Sequence, residues 1–226
     1  MKEAKAVLFD LDGVLVLTES LKASAHAATI KRFGGDVPIS FYSSLMGQSH
    51  EAVRGAFIGA SAINIDPDTY TQVFREIYRE LLRSDLKTTP GAEELVRRLA
   101  EAGYLLAVVS TTRKKTMEEI LTSTGLAHFF SAFVASDDVD NKKPAPDAYL
   151  LALKQLNISS NSAVVIEDSE SGVRAAYNAS LRVIALRHSF NTNHDFTHAN
   201  VVVDSLLDSQ PIIQAIETLL TSAAVL

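Results

Sequence analysis

The sequence predicts an α/β fold, with a Rossmann-like parallel sheet as its core and a small all-helical cap domain inserted after the first strand. Short apolar runs rich in β-branched residues alternate along the chain with helical patterns, which is typical of a parallel sheet covered by helices on both faces. Residues 17–87 interrupt this alternation with helical patterns and no convincing strand. We therefore expect an α/β core at residues 1–16 and 88–226 and a helical cap at residues 17–87.

The positions of the predicted elements follow from the same patterns. The strands are predicted at Ala6–Asp10, Leu105–Ser110, Ala132–Ser136, Ala163–Glu167, Arg182–Leu186 and Asn200–Val203. One core helix is expected to begin with Thr89 as its N-cap and Pro90 in its first turn, and to end at Gly103. The other helices are predicted at Lys115–Thr124, Ala145–Leu156 and Ser171–Asn178 in the core, and at Leu21–Phe33, Ser49–Ile58 and Pro67–Leu82 in the cap.

The composition excludes several classes of function. The chain of 226 residues carries a net charge of −6, which argues against nucleic acid as a partner because phosphate backbones require clustered Lys and Arg. It contains no cysteine, so thiol nucleophiles, thiolate metal sites and disulfides are excluded. No apolar run approaches the ~20 residues of a membrane span, and no signal peptide is recognisable. We therefore expect a cytoplasmic protein without a membrane partner.

Paired carboxylates come at the ends of two predicted strands. Asp10 and Asp12 end the first strand, and Gly13 gives the backbone the freedom to leave strand geometry there. Glu167 and Asp168 end a later strand in the same way. Because ligands in such sheets bind at the carboxyl ends of the strands, we expect these acids to converge. Their mutual repulsion has to be offset by a cation or by protons, and the convergence of both pairs on one edge favours a cation. An all-oxygen set of ligands predicts Mg²⁺.

Two further strand ends carry groups that suit a phosphate. Ser110, Thr111 and Thr112 offer three hydroxyls, which can donate to phosphate oxygens, although such residues more often cap a helix. Lys143 precedes two prolines and a helix start, so it is either a fixed cation or a solvated loop side chain. Because four strand ends carry suitable groups together, we favour the interpretation as a phosphate site.

The order of these motifs resembles the haloacid dehalogenase superfamily, specifically the members with a helical cap after the first motif. The motifs stand here as Asp10-Leu11-Asp12-Gly13-Val14-Leu15, Ser110-Thr111, Lys143-Pro144-Ala145-Pro146-Asp147 and Glu167-Asp168-Ser169-Glu170-Ser171-Gly172. The resemblance covers essentially the whole chain. The branch that looks most similar is that of β-phosphoglucomutase and the sugar-phosphate phosphatases.

The resemblance implies a role for each core residue. Asp10 would be the nucleophile and Asp12 the general acid and base. Ser110 and Lys143 would bind the phosphoryl group that is transferred. The ligands implied for Mg²⁺ are the Asp10 carboxylate, the Asp12 backbone carbonyl and the Asp168 carboxylate, with Glu167 in or next to the coordination shell.

Two cap residues depart from the pattern of the family. Lys22 stands where the mutase has a histidine that helps to control the acid–base aspartate, so it argues against mutase activity. It is either a contact for a substrate anion or a solvated helix lysine. His50 stands where the mutase has an arginine, and it either contacts substrate or simply begins a helix capped by Ser49. The histidines expected on the surface, because their spacing matches no metal motif, are His188, His194 and His198.

We therefore expect a Mg²⁺-dependent phosphatase that hydrolyses a small phosphorylated metabolite, a sugar phosphate above all, through a phosphoryl-aspartate intermediate. The alternatives are a phosphomutase and a catalytically inactive protein that binds a phosphorylated ligand in the same pocket. The presence of Asp10, Asp12, Lys143 and Asp168 argues against the inactive alternative. The protein is expected to be a monomer or a weak homodimer.

Overall fold

The computed structural model describes residues 4–222, and its core is a six-stranded parallel sheet. The strands are β1 (Ala6–Phe9), β2 (Leu105–Val109), β3 (Ala132–Val134), β4 (Ala163–Glu167), β5 (Arg182–Leu186) and β6 (Val201–Val203), in the order β3-β2-β1-β4-β5-β6. The α-helices are α1 (Thr18–Arg32), α2 (His50–Ser61), α3 (Pro67–Asp85), α4 (Ala92–Glu101), α5 (Lys114–Ser123), α6 (Asp147–Leu156), α7 (Glu170–Asn178) and α8 (Ser209–Thr221). The predicted α/β fold is confirmed.

Strand β1 lies inside the sheet, where the strand order reverses. Its last residue, Phe9, is level with Val108 of β2 and with Ile166 of β4. The next residues of β1 and β4, Asp10 and Glu167, therefore emerge side by side at the carboxyl edge. In sheets of this kind, ligands bind in the crevice at the point of reversal.

Two predicted strands extend one residue too far at this edge. Asp10 and Ser110 are expected as strand residues, but β1 ends at Phe9 and β2 ends at Val109. The backbone amides of Asp10 and Ser110 still donate to carbonyl oxygens of the neighbouring strands, at 3.0 and 2.9 Å. Each of these two residues is thus fixed to the sheet by one backbone bond at the position where the chain leaves the strand.

Both faces of the sheet are covered by apolar side chains. Helices α6 and α7 pack on one face, where Tyr149 and Val173 belong to the same buried cluster as Leu8 of β1. The alternate residues of β1, Val7 and Phe9, are also fully buried. Helices α4 and α8 contact strands β2 and β4, respectively, and also contact each other. Burial of both faces explains why the strands are continuously apolar rather than alternating.

The predicted start of α4 is wrong. The helix begins at Ala92 with Gly91 as its N-cap, and the backbone amide of Thr89 instead donates to the carbonyl oxygen of Leu15 at 2.9 Å. Gly91 has a φ of +87°, and a Cβ at this position would lie 2.0 Å from the carbonyl oxygen of Leu206. Glycine is therefore required here. Within residues 4–222, no helix is long and apolar enough to cross a membrane.

The structure divides into two compact units: the chain up to Val16 together with the chain from Thr88, and the segment Leu17–Lys87. The second unit contains α1, α2 and α3, and its fully described residues form no strand. Ser49 caps α2 as predicted, because its hydroxyl accepts a hydrogen bond from the amide of Ala52 at 3.2 Å.

A buried histidine lies in the core of the helical unit. His26 is 3% exposed, and its ring stacks on that of Phe74 with a centroid distance of 4.2 Å. The Nδ1 atom of His26 lies 2.7 Å from the hydroxyl oxygen of Tyr70. Burial is the largest of the causes that lower the pKa of His26 to about 3. The imidazole is therefore neutral in the folded unit at neutral pH.

The low pKa of His26 predicts that acid weakens the helical unit. The unfolded chain takes up a proton on this residue near pH 6.5, whereas the folded chain does not until about pH 3. Between these values the unfolded state binds one more proton, so His26 lowers the free energy of unfolding by about 1.4 kcal/mol for each unit that the pH falls.

Urea unfolding followed by circular dichroism at several pH values between about 6.5 and 4.5 measures this slope. The slope should be shallower in His26→Gln, which removes the titrating group, and unchanged in the control His128→Gln, which alters an exposed residue. Equal slopes in wild type and His26→Gln would contradict the prediction.

Candidate active site

The four polar motifs meet at the carboxyl edge of the sheet, within the α/β unit. Asp10 and Asp12 follow β1, and Ser110 follows β2. Glu167 and Asp168 stand at the end of β4. These side chains are buried, with exposed fractions of 7% for Asp10 and Asp12, 2% for Ser110 and Asp168, and 0% for Glu167.

Lys143, in the loop before α6, bridges two of these acids. Its Nζ atom lies 2.6 Å from Asp10 Oδ1 and 2.6 Å from Glu167 Oε1, and it also donates to the carbonyl oxygen of Val109 at 2.9 Å. The side chain is 3% exposed. Lys143 is therefore a fixed internal cation and not a solvated loop lysine.

Glu167 has hydrogen-bond donors on both of its carboxylate oxygens. Oε1 accepts from Lys143 and from the hydroxyl of Tyr149, at 2.6 and 3.0 Å. Oε2 accepts from the backbone amide of Asp168 and from both the amide and the hydroxyl of Ser169, at 2.9 to 3.0 Å. The sequence patterns do not reveal Tyr149, whose position in α6 reads only as a core residue. Glu167 thus organises the residues around it.

Burial and the crowding of acids change the pKa values of Asp10 and Lys143. Burial is the largest cause that raises the pKa of Asp10, and the carboxylates of Glu167, Asp168 and Asp12 raise it further, while Lys143 opposes them. Burial alone lowers the pKa of Lys143, but the carboxylates of Asp10 and Glu167 outweigh it and hold the pKa well above its usual value. Lys143 is therefore protonated, and one lysine does not neutralise the acids that surround it.

The geometry fits a divalent cation with oxygen ligands. Carboxylate oxygens of Asp10, Glu167 and Asp168 lie within 4.8 Å of one another, and all three residues are buried. Converging carboxylates in a crevice are the usual setting of Mg²⁺, which also retains water and binds substrate phosphate. A cation here would also lower the raised pKa of Asp10, because it favours the ionised form.

Hydroxyl groups after β2 hold the Asp12 carboxylate. Thr112 Oγ1 donates to Asp12 Oδ2 at 2.7 Å, and Ser110 Oγ donates to the same oxygen at 3.3 Å. The amide of Thr112 in turn donates to Ser110 Oγ at 2.9 Å. Among the three hydroxyls singled out in the sequence, Ser110 and Thr112 thus reach the acids, whereas Thr111 is exposed.

His188 also reaches the acids, although the sequence predicts a surface histidine. Its Nε2 atom lies 2.9 Å from Asp168 Oδ2, and its side chain is 23% exposed. The expectation is wrong because β5 runs parallel to β4 and ends at the same carboxyl edge, and His188 follows its last residue, Leu186, by two positions. His198 is exposed and stacks on Tyr177, as expected for a surface residue, while His194 Nδ1 accepts from the amide of Glu170 at 3.3 Å.

The two predicted substrate contacts of the cap have partners within the helical unit. Lys22 donates to the carboxylate of Glu19 at 2.7 Å, and the second oxygen of that carboxylate accepts from the hydroxyl of Tyr42. The ring of His50 lies 5.0 Å from that of Phe74. Burial is the main cause that lowers the pKa of His50. Lys22 is thus paired with an acid, and not simply solvated.

Comparison with known proteins identifies the family. The sequence profile of the family described as "Haloacid dehalogenase-like hydrolase" matches residues 7–186. The chain belongs to this family. The match spans all four motifs, so the predicted family and enzyme class are confirmed.

Individual relatives of this haloacid dehalogenase-like hydrolase resemble it along most of its length. The chain is 30% identical over 199 residues to a phosphorylated carbohydrates phosphatase from Thermotoga maritima. The alignment covers 88% of this chain and 92% of that protein. The chain is 34% identical over 189 residues to the chloroplastic protein SUPPRESSOR OF QUENCHING 1 from Arabidopsis thaliana. That alignment covers 82% of this chain but only 18% of the relative.

A solved structure shows the same relationship. CbbY from Rhodobacter sphaeroides, in complex with phosphate, is 29% identical to this chain and superposes with a TM-score of 0.77. The alignment covers 91% of this chain and 96% of CbbY.

The tight fit around Glu167 predicts that Gly172 cannot be enlarged. A Cβ on Gly172 would lie 1.7 Å from Glu167 Oε1, and the donors on Glu167 prevent its carboxylate from moving away. Gly172→Ala should therefore lower the free energy of unfolding by about 1–3 kcal/mol, as overpacking does elsewhere.

The matched control is Gly55→Ala in α2, where a Cβ meets nothing within 4 Å. Alanine is the better helix former, so this change should raise stability by up to about 1 kcal/mol. Thermal unfolding followed by circular dichroism measures both variants. A wild-type melting temperature for Gly172→Ala would show that Glu167 is not held as described.

Proposed function

We propose that the protein is a Mg²⁺-dependent phosphatase that hydrolyses a small organic phosphate, a sugar phosphate above all, through a phosphoryl-aspartate intermediate on Asp10. The observation that carries the proposal is the buried Asp10 carboxylate, which is ion-paired with Lys143 at the strand edge where Asp168 also emerges. The phosphatase of phosphorylated carbohydrates among the relatives supports a sugar phosphate as substrate.

Asp10 is the proposed nucleophile. Its backbone is fixed by the bond to β4, and its carboxylate is oriented by the ion pair with Lys143 at 2.6 Å. A carboxylate that accepts the phosphoryl group divides hydrolysis into two easier displacements, the second by water. Phosphoryl transfer has a loose transition state, so most of the catalysis comes from positioning and from neutralising charge.

Asp12 is the proposed general acid and base. It would protonate the leaving oxygen of the substrate in the first step and take a proton from water in the second. The hydroxyls of Thr112 and Ser110 hold its Oδ2 atom. Lys143 and Ser110 are also the proposed contacts of the phosphoryl group. Lys143 lies at the strand edge beside Asp10, and Ser110 follows β2 there.

The proposed ligands of Mg²⁺ are the carboxylates of Asp10 and Asp168 and the backbone carbonyl of Asp12. The donors on both oxygens of Glu167 favour a place for this residue next to the coordination shell, where it holds Lys143. When bound, Mg²⁺ neutralises charge that develops on the phosphoryl oxygens.

The proposal predicts that activity depends on Asp10 and on Mg²⁺. Asp10→Asn should abolish phosphate release from a panel of phosphorylated sugars, because an amide is a far weaker nucleophile than a carboxylate. Removing divalent cations with a chelator should abolish the activity of wild type, and adding Mg²⁺ should restore it. Release of inorganic phosphate measures all of these.

The matched control is Asp140→Asn, which makes the same chemical change at an exposed position of the same unit. It should retain wild-type activity. Circular dichroism establishes that both variants are folded. Full activity in folded Asp10→Asn would contradict the proposed mechanism, and full activity in the presence of the chelator would contradict the metal requirement.

The alternative functions remain a phosphomutase and an inactive binding protein. A mutase must protect its phosphoryl-aspartate from water until the intermediate sugar bisphosphate turns around. Lys22 weighs against this, since an ammonium group only donates hydrogen bonds and this one is already paired with Glu19 at 2.7 Å. The buried ion pairs of Lys143 with Asp10 and Glu167 weigh against an inactive binding protein.

The choice between hydrolase and mutase gives a direct prediction. With β-glucose 1-phosphate, Mg²⁺ and a trace of glucose 1,6-bisphosphate, the enzyme should release inorganic phosphate and form little glucose 6-phosphate, because water is the acceptor. Both products are quantified in the same reaction. Formation of glucose 6-phosphate much faster than phosphate release would favour the mutase and contradict the phosphatase.

Thr111, Lys22 and His50 stay predicted substrate-binding residues. The cytoplasmic location, and a monomeric or weakly dimeric state, also stay predictions, as does the absence of nucleic acid and membrane partners.

A further inference from the structure

We infer that His188 is a positioning residue for the metal site, because it orients the Asp168 carboxylate. The inference rests on the proposed function, in which Asp168 is a ligand of Mg²⁺. The Nε2 atom of His188 lies 2.9 Å from Asp168 Oδ2, and Asp168 itself is 2% exposed. His188 belongs to the loop after β5. The end of this third strand therefore contributes a side chain to the site formed by the acids at the ends of β1 and β4.

The hydrogen bonds of the imidazole define its tautomer. The backbone amide of Phe190 donates to His188 Nδ1 at 3.2 Å, so Nδ1 is an acceptor and carries no proton. The ring proton is therefore on Nε2, and Nε2 donates to Asp168 Oδ2. A neutral donor fixes the rotation of the carboxylate about its Cβ–Cγ bond. It brings no positive charge that would compete with a cation.

A buried asparagine holds the histidine in this position. Asn191 is 1% exposed, and its Oδ1 atom accepts from the backbone amide of His188 at 2.8 Å. Its Nδ2 atom donates to the backbone carbonyls of Asp168 and of Leu186, both at 2.8 Å. Asn191 thus ties the loop after β5 to the loop after β4, so the distance from imidazole to carboxylate is set by the backbone.

The motif after β1 leaves space for this pair of side chains. A Cβ on Gly13 would lie 1.8 Å from Asp168 Oδ2 and 3.2 Å from His188 Nε2. Any larger residue at position 13 would displace the same carboxylate oxygen that the histidine binds. The close approach, the defined tautomer and the buried clamp together support a role for His188 in orienting a ligand. Outer partners of this kind typically change metal affinity by about 10- to 100-fold.

The experiment measures the affinity of the full-length protein for Mg²⁺ alone, without substrate. The rise in melting temperature on titration with Mg²⁺ gives the dissociation constant, because a ligand that binds the folded state stabilises it. His188→Ala and His188→Phe both remove the donor, and the second keeps a ring in the same space. We expect each to weaken Mg²⁺ binding by about 10- to 100-fold.

Two further variants separate this role from a structural one. His188→Gln keeps an N–H donor within reach of Asp168 and should bind Mg²⁺ within a few-fold of wild type. His198→Ala changes an exposed histidine of the same region and should bind as wild type does. The melting temperature without metal shows which variants are folded. Mg²⁺ affinity is compared in whichever of His188→Ala and His188→Phe has the melting temperature of wild type.

The outcomes are distinct. Wild-type affinity in a folded variant without the donor overturns the inference and leaves the proposed function intact. Equal losses in His188→Gln and His188→Ala also overturn it, because the donor would then be irrelevant. If wild type itself does not bind Mg²⁺, both the metal site and the inference fail. If only the variants without the donor lose affinity, His188 orients the ligand.

Discussion

Three separate parts of the α/β unit meet at the ammonium group of Lys143. The carboxylate after β1, the carboxylate at the end of β4 and a backbone carbonyl of β2 all accept from this one nitrogen, at 2.6 to 2.9 Å. A buried charge is stable only when it is paired and hydrogen-bonded. Removal of one partner leaves an uncompensated charge, at a cost of about 3–5 kcal/mol. The position of Asp10, the proposed nucleophile, therefore depends on the same contact that makes the crevice stable.

The acids around Lys143 differ in how they are held, which agrees with the different roles proposed for them. Glu167 has donors on both oxygens, so its carboxylate is a structural anion. Asp12 is held by hydroxyl groups, which can rotate and exchange partners, and this suits its proposed role in proton transfer. Asp168 is oriented by an imidazole from a third strand end. Four carboxylates of similar intrinsic acidity thus differ in their hydrogen-bond partners, and the proposed roles follow these differences.

The sequence predicts the sheet and the acidic residues because both depend on short-range patterns. A strand buried on both faces has to be continuously apolar, and the residues after it have to lie at the carboxyl edge. The contacts of His188 and Tyr149 could not be predicted in this way, since they depend on the directions of a loop and a helix side chain, which the strand pattern does not define. The predicted N-cap at Thr89 is wrong because the amide of Thr89 donates to the carbonyl oxygen of Leu15, a contact that the local sequence does not reveal. Gly91 is the N-cap instead.

The chain leaves and rejoins the α/β unit at adjoining positions. The amide of Thr89 donates to the carbonyl of Leu15, and within the helical segment the amide of Leu17 donates to the carbonyl of Lys87, both at 2.9 Å. Closing a loop whose ends already touch costs little more when the loop grows, because the entropy depends only logarithmically on length. The helical segment can consequently be lengthened or replaced at little entropic cost to the α/β unit, with the strand register and the four motifs unchanged.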